Sequence, residues 1–131
     1  MRPELFFDDA TNVLTLQFGH DYNGAAGQAA ISQALEELSE DQVTKLCGII
    51  LDCSRVMNAD LRDSDRAKLA SFDRTLERFE IDLRGMAVVV ASTHPVILQR
   101  YERQRGQTSY PFLLAPNVEE ARRLLEARDW T

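Results

Sequence analysis

Two short runs limit what this chain can fold into more than any other feature. CGIILDC (47–53) and MAVVVA (86–91) are apolar at odd and even positions alike, and the first breaks only at Asp52. Side chains of a strand point alternately to opposite faces, so a run apolar on both parities leaves no face for water. Strands of that kind lie between two layers of helix, as in a parallel sheet.

The rest of the chain supplies the helices. Between the two runs, Leu69, Phe72, Leu76 and Phe79 recur at three- and four-residue spacing among charged residues. That spacing predicts an amphipathic helix starting near Asp63 or Ser64, either of which can cap it. After the second run, Ser92, Thr93, His94 and Pro95 read as a helix start, with Val96, Ile97, Leu98 and Tyr101 inside the helix and Gly106 ending it. YPFLLA (110–115) is a last strand, and Asn117 caps a helix with Glu120 reaching back and Val118, Ala121, Leu124 and Leu125 facing inward. Upstream, ELFF (4–7) and VLTLQF (13–18) flank the turn residues DDATN and predict a hairpin. Ala30, Ile31, Ala34, Leu35 and Leu38 predict a helix over 24–38, closed by SEDQ. The order is ββαβαβαβα, an α/β fold with a mixed sheet and helices packed on it. No repeat, linker or low-complexity tract divides residues 1–131, so a single domain is expected.

Charge and cysteine content exclude several functions. Lys plus Arg number 15 against 21 Asp plus Glu, a net charge of −6, and no basic stripe with interleaved aromatics offsets it. Such a chain repels a phosphate backbone, so nucleic acid is not an expected partner. Cys47 and Cys53 fall on one strand, about 20 Å apart at a strand's rise, beyond disulfide reach. Two cysteines without a CxxC spacing and only two histidines make a poor metal set, and no cofactor is implied. No apolar stretch suits a secretory signal or a membrane span, so a reduced, cytoplasmic protein is expected.

The element order and the stretch IILDCSRVMNAD (49–60) resemble the STAS family, founded on the anti-sigma-factor antagonists, the sporulation stage II AA-like proteins. Ile50, Leu51, Asp52, Ser54, Val56 and Asp60 match the family motif, and NVEEARRLLE (117–126) resembles the family's closing helix. The resemblance implies a non-enzymatic regulatory or protein-interaction domain whose partner is an anti-sigma-type kinase or another regulator. In the antagonists a serine in the turn after the motif is phosphorylated and switches partner binding. Here Leu61 and Arg62 occupy the serine positions, Asp63 stands where the family has glycine, and Ser64 is the nearest hydroxyl. The resemblance therefore implies a domain without the usual phosphoserine switch, similar to the STAS/Sec14-like branch. The interaction surface so implied comprises Asp52, Ser54, Asp60, Leu61, Arg62, Ser64 and Asp65. That branch resembles lipid-carrier folds, so the alternative is a carrier or sensor of a small apolar or anionic ligand.

Two chemical readings compete. A receiver domain would use Asp8 and Asp9 with Asp52 as phosphoacceptor and Ser92 or Thr93 nearby. The strand that follows Asp9 takes the place of the helix a receiver needs, and Asp8 and Asp9 then act as turn formers. A Cys53–His94 dyad oriented by Asp52 or Asp60 would serve nucleophilic catalysis. Cys53 shares parity with Ile49 and Leu51, which predicts burial as a small hydrophobe, and there is no nucleophile elbow. Ser92, Thr93 and His94 remain a candidate ligand edge, since ligands in α/β sheets collect at the carboxyl ends of strands. The charged segments at 62–68 and 102–107 have solvated helix ends as their commoner role.

Overall fold

A computed structural model of the chain describes residues 3–60, 74, 76–78, 85–90, 99 and 112–126. Among these residues the chain runs β1 (Glu4–Asp8), β2 (Val13–Gln17), β3 (Asp21–Asn23), α1 (Gly24–Glu37), α2 (Glu40–Lys45), β4 (Gly48–Cys53), β5 (Asn58–Asp60), β6 (Gly85–Val90), β7 (Phe112–Ala115) and α3 (Val118–Glu126). Arg74, residues 76–78 and Gln99 are also helical, on the two segments predicted as helices. The remainder of those two helices lies outside the described residues.

The main sheet has five strands in the order β1-β2-β4-β6-β7. β1 and β2 form the predicted antiparallel hairpin, with Phe6 opposite Thr15. β2, β4, β6 and β7 are mutually parallel, with Leu16 opposite Leu51 and Leu51 opposite Val88. The sheet is therefore mixed, antiparallel only at its β1 edge. Every residue of β4 is buried, as its two-sided apolar run requires.

The core divides by parity along the strands. On one face Leu14, Leu16, Ile49, Leu51 and Cys53 pack with Ile31, Ala34 and Leu35 of α1 and with Leu46, Val56 and Leu76. On the other face Val13, Ile50 and Ala115 pack with Ala121 and Leu125 of α3. Burying each large aliphatic side chain contributes about 1.5–3 kcal/mol, so β4, loaded on both faces, is the centre of stability. α3 comes so close to β4 that a Cβ built on Gly48 would lie 2.9 Å from Leu125 Cδ1.

The hairpin turn also secures the entry to β4. Asp8 Oδ1 accepts the Ala10 N–H at 2.9 Å, and Asp8 O accepts the Asn12 N–H at 2.7 Å. Asn12 takes a left-handed φ of 60°, which asparagine tolerates better than most residues. Its carbonyl then accepts the Cys47 N–H at 3.0 Å, joining the turn to the residue before β4.

Three details depart from the sequence reading. SEDQ closes α1 but also opens α2: Ser39 Oγ accepts the Gln42 N–H at 3.1 Å, and Gln42 Oε1 accepts the Ser39 N–H at 3.0 Å. At α3, Asn117 Oδ1 accepts the Glu120 N–H at 2.8 Å as expected, but the Glu120 carboxylate binds Arg123 at 2.6 Å rather than reaching back. The third is a two-stranded parallel sheet of β3 and β5, whose three-residue strands are too short to show alternation. The observed order thus inserts β3, α2 and β5 into the expected ββαβαβαβα.

Candidate functional site: the carboxyl end of β4

β4 delivers Asp52 and Cys53 to the carboxyl edge of the parallel strands, and the alternation of the strand sends them to opposite faces. Cys53 falls on the α1 side with Ile49 and Leu51 and is only 2% exposed. It behaves as the small hydrophobe its parity predicts, and it faces away from Asp52. A thiol held in that core is a poor nucleophile.

Asp52 lies on the opposite side, in the row of Ile50, and is 5% exposed. A buried carboxylate must have its lone pairs satisfied. Oδ1 accepts the Ser54 N–H at 3.0 Å and the Ser54 hydroxyl at 2.6 Å. Oδ2 faces Gln17 Nε2 at 3.4 Å, a long contact from the residue directly opposite in the β2 register. The carbonyl of Asp52 accepts the Phe18 N–H at 3.0 Å, continuing the ladder beyond β2. Asp52 is thus the clamp of an Asx turn that ends the strand.

The turn then sets the surface above the sheet. The Val56 N–H donates to Cys53 O at 3.0 Å, which folds Val56 back into the core. Met57 is left 70% exposed, and its N–H donates to His20 O at 2.8 Å. That bond starts the pairing of β5 with β3, in which Asp60 lies opposite Asn23, the residue before α1. The carboxyl edge of β4, the β3–β5 ribbon and the start of α1 therefore form one continuous rim.

Of the residues singled out from sequence, the structure brings Asp52 and Ser54 into direct contact and places Asp60 on the ribbon. Leu61, Arg62, Ser64, Asp65, Ser92, Thr93 and His94 lie outside the described residues. Sequence reading missed Gln17, His20 and Met57. Gln17 was within reach, because matching the polar ends of β2 and β4 in parallel register pairs it with Asp52. The acidic pair of the receiver reading lies at the wrong end of the sheet. Asp8 pairs with Val13, which is level with Gly48, four residues before Asp52 and about 13 Å away at a strand's rise.

The electrostatics agree with a turn-forming role for Asp8. The Ala10 N–H holds the Asp8 carboxyl below its ordinary pKa of 3.8, against a smaller opposing effect of burial and with help from Thr11 and Arg122. Among the described residues no group of three or more His, Cys, Asp and Glu could hold a metal ion, and no helix is long and apolar enough to cross a membrane. Comparison with protein-family models, curated proteins and solved structures finds no match to this chain.

Proposed function

We propose that the chain is a STAS-like regulatory domain that works by binding a protein partner through the rim beyond Asp52, with no phosphoserine switch. The observation that carries this reading is the Asp52–Ser54 clamp. Its short hydrogen bonds commit the motif's carboxylate and serine to shaping a turn, which agrees with a scaffold for presenting surface rather than with chemistry. A mixed sheet with helices packed on it is compatible with this reading. The exposed Met57 supplies an apolar anchor of the adaptable kind found at protein contacts. Leu61 and Arg62, at the positions of the family's phosphorylated serine, have no hydroxyl to modify.

The test is affinity capture from the native host with the wild-type chain and with a variant whose residues 60–68 are scrambled, both checked for folding by circular dichroism. Loss of a specific protein from the scrambled variant is the expected outcome. Equal recovery by both chains would remove the rim as the docking surface.

A further inference from the structure

The outer edge of β1, two strands from β4, is the antiparallel flank of the sheet. β1 is an end strand, and among the described residues no strand pairs with its outer edge. Alternation along it produces two unlike sides. Glu4, Phe6 and Asp8 share one face, with Glu4 exposed and Phe6 51% exposed. On the other face, Pro3 and Leu5 form one wall of a shallow groove whose second wall is Ala30, Gln33, Ala34 and Glu37 of α1. The groove encloses only about 10 Å³, roughly the room of one water molecule, which is too little for a small-molecule ligand. A groove between an edge strand and a helix suits backbone-led recognition, in which an added strand satisfies the edge and its alternate side chains enter the groove.

The charges specify the occupant. Antiparallel pairing of β1 with a second copy of itself along its whole length, centred on Phe6, would set Glu4 opposite Asp8 at both ends. Like charges directly opposite are destabilising. We propose that β1 and the β1–α1 groove accept an extended segment of another protein with alternating basic and small apolar residues. Its cations pair with Glu4 and Asp8, a larger apolar residue covers Phe6, and the intervening small residues enter the groove over Ala30 and Ala34. This surface uses none of the rim's residues, although Glu4 lies level with Gln17 and Asp52 across the register, and the reading does not rest on the rim.

The test is fluorescence anisotropy of the folded chain with two labelled peptides, one with the core Lys-Val-Leu-Val-Lys and one with Glu-Val-Leu-Val-Glu. The lysine peptide is expected to bind, and the glutamate peptide to bind at least about tenfold more weakly, as expected when two cross-strand pairs change from attractive to repulsive. Glu4→Lys, on an exposed side chain, and Ala30→Gln, which fills the groove, should each weaken the lysine peptide several-fold while circular dichroism stays unchanged. Equal binding of both peptides, no binding of the lysine peptide, or binding insensitive to both substitutions would each overturn the proposal. A stable dimer of the free chain in light scattering that Glu4→Lys disrupts would also overturn it, assigning the edge to a second copy.

Discussion

Replacing Asp52 by alanine separates a structural carboxylate from a functional one by the sign of the stability change. In the native chain Oδ1 takes two hydrogen bonds from Ser54, at 3.0 and 2.6 Å, and Oδ2 has the weaker 3.4 Å contact with Gln17. Hydrogen bonds to a charged acceptor contribute about 1.5–3 kcal/mol each. Ser54 is exposed, so water replaces part of that in the variant, while the cost of burying the carboxylate is relieved. The net expectation for Asp52→Ala is a loss of about 2 kcal/mol. For a chain of this size that lowers the melting temperature by roughly 6–8 °C. Asp52→Asn keeps an oxygen acceptor and should cost about half as much, as should Ser54→Ala, which keeps the N–H bond. Urea unfolding followed by circular dichroism gives all three values, with the m-value reporting whether unfolding stays two-state. Carboxylates buried for function often reduce stability, and removing them then stabilises the fold. An Asp52→Ala variant as stable as the wild type, or more so, would therefore refute the clamp and restore Asp52 as a candidate for chemistry.

Four further outcomes follow from local geometry. Gly48→Ala puts a methyl group 2.9 Å from Leu125 Cδ1 and 3.1 Å from Cδ2, and should destabilise by about 1–2 kcal/mol in urea unfolding, with Leu125→Ala less than additive on top of it. At φ 60°, Asn12→Gly should be neutral or slightly stabilising, whereas Asn12→Val should cost about 1–2 kcal/mol in thermal unfolding. Ser39→Ala removes half of the α2 capping box and should cost about 1 kcal/mol, with amide exchange rising first over Glu40–Lys45. Because the folded-state pKa of Asp8 is depressed, its contribution is present above 3.8 and is lost as pH falls through the lower folded value. The stability gap between wild type and Asp8→Asn should therefore close on acidification from about pH 5 to pH 2, read as convergence of their urea midpoints.

How much of this could be read beforehand follows from the physics of each element. β4 was legible because burial on both faces leaves no polar parity, and the hairpin because DDATN contains the side chains that bond their own backbone. The burial of Cys53 on the α1 side also followed from parity alone. β3 and β5 were not legible, since three residues carry no period and their pairing depends on where β2 and β4 end in space. The second helix does leave a signal, since Ser39 and Gln42 have capping-box spacing, but the same segment, 39–42, also stops the preceding helix and so marks two boundaries at once. The motif at 49–60 spans the carboxyl end of β4 and β5, but the roles of the residues within it need coordinates. Only the 2.6 Å contact distinguishes a serine presented for modification from one that closes a turn on a buried carboxylate.

The central claim is that the rim beyond Asp52 is where this domain meets a protein partner. Met57 is the most direct reporter, being exposed and held in place by the His20 carbonyl. A photo-crosslinking amino acid placed there in the native host, with a control at the exposed Lys45 beside the opposite end of β4, tests the claim in one measurement. The account predicts a discrete protein adduct from position 57 that position 45 does not form. No adduct at 57, or the same adduct from both positions, would contradict it.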